Sequence, residues 1–146
     1  MRVAGPPWTV GSLVRVERGD AILLVKPVYR KAWCLPGGLI GRNEDPAVAA
    51  VREVWEETGL RVGLVGPGAA VVDARPRRVD LVFRAAPEDE DAALSRESPE
   101  IDDLGWYRLD ELPSLAPETR SALDALAHPE RGPLHVQVAD GERWEV

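Results

Sequence analysis

The stretch GLIGRNEDPAVAAVREVWEETGL, residues 38–60, decides the fold of this chain. It contains a predicted helix, because the Asp45 side chain can cap the first free amide groups and Pro46 suits the first helical position. Gly59 suits the other end, since glycine readily adopts the left-handed conformation that follows many helices. The sequence therefore predicts one helix between Asp45 and Gly59.

The predicted helix has two unlike faces when its residues are placed about 100° apart. One face is apolar and can pack on a sheet; it comprises Ala47, Ala50, Val51, Val54 and Thr58, with Trp55 at its edge. Three carboxylates fall on the opposite side, at Glu53, Glu56 and Glu57. They repel one another unless positive charge lies among them, and Arg52 supplies one cation. The pattern fits either a solvated acidic face or a site for a hard divalent cation.

The spacing favours the metal site. Gly38 is followed after five residues by Glu44, and after seven more by the run REVWEETGL, residues 52–60. This stretch resembles the Nudix box at every fixed position, including the apolar residues Val54 and Leu60. The resemblance implies a Nudix hydrolase with the α/β/α sandwich of that family, which is an α/β fold with a mixed sheet. It also implies a divalent cofactor, Mg²⁺ or Mn²⁺.

The same resemblance implies a role for each polar residue of the box. The implied metal ligands are three carboxylates and one backbone carbonyl, at Glu53, Glu56, Glu57 and Gly38. One of the three glutamates also takes a proton from water, and the sequence does not distinguish among them. Arg52 orients the carboxylates by hydrogen bonds, and Glu44 is a supporting member of the box.

Two segments outside the box supply further candidate site residues. Glu100 is the first choice for an additional catalytic acid, and its rivals are Glu97, Asp102 and Asp103. The basic loop at residues 26–31 carries one aromatic residue, Tyr29, which is predicted to stack on a base or sugar. The predicted phosphate-binding groups in that loop are Lys26 and Arg30, with Lys31 as a third choice. The alternative is that the loop is only a solvated connection.

Composition limits the class of protein. A chain of 146 residues is long enough for one domain with a real core, so residues 1–146 are expected to form a single domain. The net charge of −7 argues against a nucleic-acid polymer or an acidic membrane as partner, but not against a small nucleotide bound through a metal. Cys34, the single cysteine, excludes an internal disulfide and suits a buried position. The sequence shows neither a signal peptide nor an apolar run of about 20 residues, so a cytoplasmic location is expected. The sequence neither predicts nor excludes a homodimer.

Apolar and alternating runs predict strands on both sides of the helix. The predicted strands are residues 8–16, 21–25, 33–36, 62–65, 69–72 and 78–86, of which the first two form a hairpin. A second amphipathic helix is predicted at residues 117–127, with Leu123 and Leu126 facing inward. The last segment, residues 134–146, can form a small hairpin across Asp140 and Gly141.

The resemblance implies metal-dependent hydrolysis of a pyrophosphate bond in a nucleoside diphosphate derivative. The small size of the chain favours a nucleoside triphosphate, common or oxidised, which would give nucleoside monophosphate and inorganic diphosphate. One alternative is an ADP-ribose or nucleotide-sugar pyrophosphatase, since Pro76 lies about where such members often have a proline. The other is a non-catalytic domain of this family that binds nucleotides, although such domains usually lose box carboxylates that this chain keeps.

Overall fold

The structure is a computed structural model that describes residue 5 and residues 7–137. Its strands and helices, in chain order, are β1 Thr9–Arg18, β2 Ala21–Pro27, β3 Gly37–Leu39, α1 Pro46–Thr58, β4 Val62–Leu64, β5 Ala69–Asp73, β6 Arg78–Pro87, β7 Ile101–Arg108, α2 Pro117–Ala127 and β8 Leu134–Gln137. A single 3₁₀ turn at Pro129–Arg131 links α2 to β8. Neither helix of the described part is long and apolar enough to cross a membrane.

The strands form one mixed sheet in the order β7-β2-β1-β6-β5-β8, with β3 added to β1 and β4 added to β6. The pairs β1/β6 and β5/β8 are parallel, and the other pairs are antiparallel. One core cluster lies between the sheet and α2, and a second lies between the sheet and α1. The α/β/α sandwich with a mixed sheet is therefore confirmed.

The central strand β1 changes partner along one of its edges. Its residues 11–13 pair with β3, whereas Glu17 and Arg18 pair with β2. Leu13 at the end of the β3 pairing, Val25 of β2 and Gly37 of β3 all line one cavity. The change of partner thus places this cavity at the point where β2 and β3 diverge.

The capping chemistry predicted for α1 is present. The Asp45 carboxylate accepts hydrogen bonds from the amides of Ala47 at 2.8 Å and Val48 at 3.3 Å. Gly59 has φ = 74° and donates its amide hydrogen to the carbonyl of Trp55, which ends the helix in the left-handed conformation. Both ends of α1 are thus determined by local sequence.

The apolar face of α1 differs in part from the prediction. The fully buried helix residues are Ala49, Ala50, Val54 and Thr58, so Ala49 belongs to the packed face. Trp55 lies on the solvent side, where its side chain is 48% exposed and the Arg61 guanidinium lies over its ring. The inward face is therefore made of small residues, which allow the helix to approach the sheet closely.

Several strand bounds differ from those predicted, because strand pairing decides them. β1 continues to Arg18, since Glu17 and Arg18 still pair with β2. β2 continues to Pro27, since Lys26 and Pro27 pair with β7 across a register shift, so both belong to the strand rather than to the basic loop.

The segment before α1 also differs from the strand predicted at residues 33–36. Residues 33 and 34 form only isolated bridges, and the strand begins at Gly37 instead. A Cβ atom at Gly37 would lie 1.9 Å from the backbone oxygen of Ser12. This glycine therefore serves the contact between β3 and β1, rather than the approach of a ligand.

At the other end of the chain, β8 pairs parallel with β5 from Leu134 to Gln137. The rest of the predicted hairpin, residues 138–146, lies outside the described residues, and the single-domain prediction for residues 1–146 remains a prediction.

Candidate active site

The predicted acidic face of α1 divides between a cavity and the solvent. Glu53 and Glu57 line the cavity beside β3, and only 16% of the Glu53 side chain is exposed. Glu56 turns outward, and 46% of its side chain is exposed. The three glutamates that the sequence places on one side of the helix thus differ in exposure, because β3 and the neighbouring strands cover two of them.

Arg52 is not among the cavity residues, and its guanidinium lies among the carboxylates of Glu44, Glu53 and Glu56. Its guanidinium donates to the Glu44 carboxylate at 2.7 and 3.0 Å and to Glu56 at 2.9 Å, and it is 3.2 Å from the nearest oxygen of Glu53. Hydrogen bonds from Arg52 and from the amide of Gly41 hold the pKa of Glu44 below its usual value. The planar guanidinium thus makes hydrogen bonds with Glu44 and Glu56 and an ion pair with Glu53.

The two glutamates of α1 that line the cavity both have raised pKa values. Burial raises the pKa of Glu57 from 4.5 to about 8, and the charge of Glu53 contributes in the same direction. The amide of Gly37, 3.4 Å from Glu57 Oε2, counters this only in part. Burial also raises the pKa of Glu53, although Arg52 opposes that shift.

The cavity has a volume of about 350 Å³ and brings together residues from distant parts of the chain. The residues singled out from the sequence that line it are Tyr29, Arg30, Gly38, Glu53, Glu57 and Glu100. Tyr29 is 77% exposed at the rim, which leaves its ring free to stack. A Cβ atom at Gly38 would lie 2.7 Å from Glu53 Oε1, so this glycine makes room for the carboxylate.

Other predicted residues lie elsewhere. Lys26 pairs with Asp102 at 3.0 Å and is not among the cavity residues. Glu56 and Arg52 do not line the cavity either; they pair with each other at 2.9 Å. Of the four candidates for the additional catalytic acid, only Glu100 lines the cavity, and Asp102 and Asp103 belong to β7.

Three charged site residues were not expected from the sequence. Arg78 and Glu118 line the cavity. The third residue, Asp80, accepts a 2.8 Å hydrogen bond from Arg78 Nε. Glu118 accepts hydrogen bonds from the Arg30 guanidinium. The one available indication was Asp80, a charged residue inside an otherwise apolar run of β6.

A family model of the NUDIX domain matches residues 5–127. The chain belongs to the Nudix family. A MutT-like protein of Streptomyces ambofaciens is 33% identical over 131 residues, which cover 88% of this chain and 81% of that protein. These similarities show that the chain is a Nudix pyrophosphohydrolase.

Solved structures agree with the fold of this Nudix hydrolase. A Nudix hydrolase from Nitrosomonas europaea superposes with a TM-score of 0.77 at 22% identity, covering 93% of this chain and 82% of that one. An ADP-ribose pyrophosphatase from Streptococcus suis superposes with a TM-score of 0.67 at 22% identity, covering 88% and 98%. At these identities the structures show the shared fold alone.

The donor set of this Nudix hydrolase fits the divalent metal that the family generally uses. Glu53 and Glu57 offer hard oxygen atoms in one cavity, and the missing Cβ of Gly38 leaves the Glu53 carboxylate close to the backbone. Within residues 7–137 and residue 5, no three acidic, histidine or cysteine side chains are already grouped at metal-binding distance. Glu56 is the third box carboxylate; it is exposed and pairs with Arg52 beside the cavity.

Proposed function

We propose that this Nudix hydrolase cleaves the pyrophosphate bond of a common or oxidised nucleoside triphosphate and releases nucleoside monophosphate and inorganic diphosphate. The observation that carries the proposal is the division of charge within one cavity. Glu53, Glu57 and Glu100 converge from α1 and the loop before β7, while Arg30 and Arg78 approach from other elements. Such a cavity suits an anionic substrate bound through a divalent cation.

Glu53, Glu56, Glu57 and the backbone carbonyl at Gly38 are the proposed ligands of Mg²⁺ or Mn²⁺. The bound ion would supply positive charge to the phosphate oxygens and lower the pKa of water. The residues of the chain supply the rest: Arg52 orients Glu53 and Glu56, and Tyr29 and Arg30 bind the substrate at the rim. Lys26, which pairs with Asp102 instead, is not part of this proposal.

The reaction is the addition of water across a P–O–P linkage. The water oxygen bonds to phosphorus, the bond to the leaving diphosphate breaks, and a carboxylate of the chain accepts the proton. The candidate acceptors are the cavity carboxylates Glu53, Glu57 and Glu100. Each lies in a partly enclosed site where charge stabilisation and positioning account for most of the catalysis of phosphoryl transfer.

The proposal is tested by measuring product release from a panel of nucleotides with Mg²⁺. The panel contains the common and 8-oxidised nucleoside triphosphates, ADP-ribose and UDP-glucose. We expect the highest kcat/KM for a triphosphate, with monophosphate and diphosphate as products. A preference for ADP-ribose or the nucleotide sugar would favour the second candidate, for which the supporting observation is that Pro76 lines a cavity next to the catalytic one. Nucleotide binding without cleavage of any compound would favour a non-catalytic domain.

A small-molecule nucleotide is the proposed partner, and the protein is proposed to act in the cytoplasm. A homodimer also remains a proposal, to be tested by light scattering.

A further inference from the structure

The hydroxyl group of Ser12, in the central strand β1, is buried without a hydrogen-bond partner. The residue is 0% exposed to solvent. Its Oγ atom forms no hydrogen bond within the part of the chain that the structure describes. A buried hydroxyl in this condition destabilises a folded protein, because it has given up its hydrogen bonds to water and gained none in return. Such groups are rare and often belong to a functional site.

The pairing of β1 with β3 places the Ser12 side chain beneath α1. Ser12 lies directly opposite Gly38 in this antiparallel pair. Residues in that relation point to the same face of a sheet, with their Cβ positions about 4.5–5.5 Å apart. Val14, the next residue of β1 on the same face, packs in the core cluster that contains Ala50 and Val54 of α1. The face that Ser12 shares with Gly38 is therefore the one that α1 covers.

The carboxylate of Glu53 occupies the place that a side chain at residue 38 would take. A Cβ atom at Gly38 would lie 2.7 Å from Glu53 Oε1, 2.9 Å from Cδ and 3.1 Å from Oε2. The group that faces Ser12 across the two strands is thus this carboxylate of α1, rather than a side chain of β3. Arg52 Nη1 pairs with Glu53 Oε1 at 3.2 Å. An ionised carboxylate offers about four acceptor positions, so it can also accept a hydrogen bond from a hydroxyl.

We propose that Ser12 is a positioning residue for Glu53, and that its hydroxyl donates a hydrogen bond to the Glu53 carboxylate when that carboxylate binds the divalent cation. The proposal rests on the proposed function, in which Glu53 is a metal ligand. A serine hydroxyl can take any of three staggered positions, and its hydrogen turns toward the acceptor. Hydrogen bonds to a ligating carboxylate hold it in the orientation that the metal needs and so raise the affinity for the ion. The bond also gives the Ser12 hydroxyl a partner.

The test compares Ser12→Thr with Ser12→Val, because these two side chains have nearly the same shape and only threonine carries a hydroxyl group. Ser12→Ala is a third variant in case the added methyl groups disturb folding, which circular dichroism monitors. The control is Val10→Ala, on the same face of β1 but 40% exposed. Binding of Mn²⁺ alone is measured by electron paramagnetic resonance of the free ion, and stability is measured by urea unfolding in excess EDTA.

We expect Ser12→Thr and the control to bind Mn²⁺ about as tightly as the parent. Ser12→Val and Ser12→Ala should bind it about tenfold more weakly, which corresponds to about 1.4 kcal/mol. Stability in EDTA should show no matching loss. Ser12→Ala should unfold at a urea concentration no lower than the parent, and Ser12→Val at one no lower than Ser12→Thr, because neither variant buries an unsatisfied hydroxyl. A serine that served packing alone would not separate threonine from valine in Mn²⁺ affinity.

Parental Mn²⁺ affinity in Ser12→Ala or Ser12→Val would overturn the proposal. The same holds for a folded Ser12→Thr that binds Mn²⁺ as weakly as Ser12→Val, for a lower urea midpoint of Ser12→Ala than of the parent in EDTA, and for an equal loss of Mn²⁺ affinity in Val10→Ala. Because Mn²⁺ binding needs no nucleotide, the assay is independent of the hydrolysis panel. Hydroxyl-dependent Mn²⁺ affinity without hydrolysis of any nucleotide would refute the proposed function alone, and hydrolysis with equal Mn²⁺ affinity in all variants would refute the role of Ser12 alone.

Discussion

Replacing Glu57 with glutamine should stabilise the metal-free protein and inactivate the enzyme. The folded protein binds a proton at Glu57 with a pKa of about 8, against the ordinary value of 4.5. A raised carboxyl pKa means that the folded state holds the proton more tightly than the unfolded chain does. The stabilising effect of that proton is fully present below pH 4.5 and is lost as the pH rises through about 8. Glutamine has nearly the shape of the protonated acid and never ionises.

The magnitude follows from the two pKa values. Each pH unit between them costs the parent about 1.4 kcal/mol relative to a group that stays neutral. Between pH 6 and pH 8 the advantage of Glu57→Gln over the parent should therefore grow by about 2 kcal/mol in free energy of unfolding. Titrating groups that do not interact with Glu57 are common to both proteins and cancel in this difference.

The assay is urea unfolding of parent and variant in excess EDTA at pH 6 and pH 8. Glu56→Gln is the matched control, because Glu56 is the preceding helix residue and lies exposed beside Arg52. Its free-energy difference from the parent should be small compared with that of Glu57→Gln, because an exposed ion pair contributes little. An equal gain at both pH values, or a loss of stability at pH 8, would show that Glu57 is not held in an unfavourable charged state.

The same variant should lose activity. With Mg²⁺ and substrate saturating, kcat of Glu57→Gln should fall by about 10²–10⁴-fold while its far-ultraviolet circular dichroism matches the parent. A variant that gains stability yet keeps kcat would separate the buried charge from catalysis and remove Glu57 from the proposed site.

Other predictions concern the metal and Arg52. Hydrolysis should require Mg²⁺ or Mn²⁺ and stop in excess EDTA, which product release would show; full activity in EDTA would contradict the metal site. Mg²⁺ should raise the melting temperature of the parent, and by more at pH 8 than at pH 6.5, since protons on Glu57 compete with the ion. Both Arg52→Ala and Arg52→Lys should lower kcat at saturating metal with the fold intact, because lysine has no planar fork for Glu44, Glu53 and Glu56. If lysine restores parental kcat, charge alone suffices.

Local chemistry made α1 predictable, and tertiary contacts made its faces less so. Asp45, Pro46 and Gly59 determine the ends of the helix through bonds within a few residues. Which glutamates become buried depends instead on β3 and β1, whose pairing no periodicity argument describes. Placing residues around an isolated helix could therefore group Glu53, Glu56 and Glu57, but could not separate the exposed member from the two in the cavity.

The site residues Arg78, Asp80 and Glu118 could not be predicted from the sequence for a related reason. Arg78 and Asp80 lie two apart on β6, and their pairing has its place only because Gly11 of β1 stands opposite. Arg30 and Glu118 are 88 residues apart in sequence. Such pairs reflect which strands and helices become neighbours, whereas the box residues lie within one segment and share one motif.

Gly37 and Gly38 offer a last test, because one glycine is needed for strand pairing and the other for the position of a carboxylate. A Cβ at Gly37 would lie 1.9 Å from the backbone oxygen of Ser12, which cannot move without breaking the pairing of β3 with β1. A Cβ at Gly38 would lie 2.7 Å from Glu53 Oε1, the far end of a side chain that can rotate away. Gly37→Ala should therefore lower the free energy of unfolding by about 3 kcal/mol, the upper part of the range for overpacking.

Gly38→Ala should instead remain close to the parent in stability and lose the Mg²⁺-dependent rise in melting temperature together with most of kcat, because the Glu53 carboxylate is displaced. Gly63→Ala is the control, since no atom lies within 4 Å of the added Cβ. Urea unfolding in EDTA and melting curves with and without Mg²⁺ separate the two effects. If Gly38→Ala retains the Mg²⁺-dependent shift, the close approach of Glu53 to the backbone has no part in metal binding. If Gly37→Ala is as stable as the control, the contact with Ser12 does not explain why glycine is needed there.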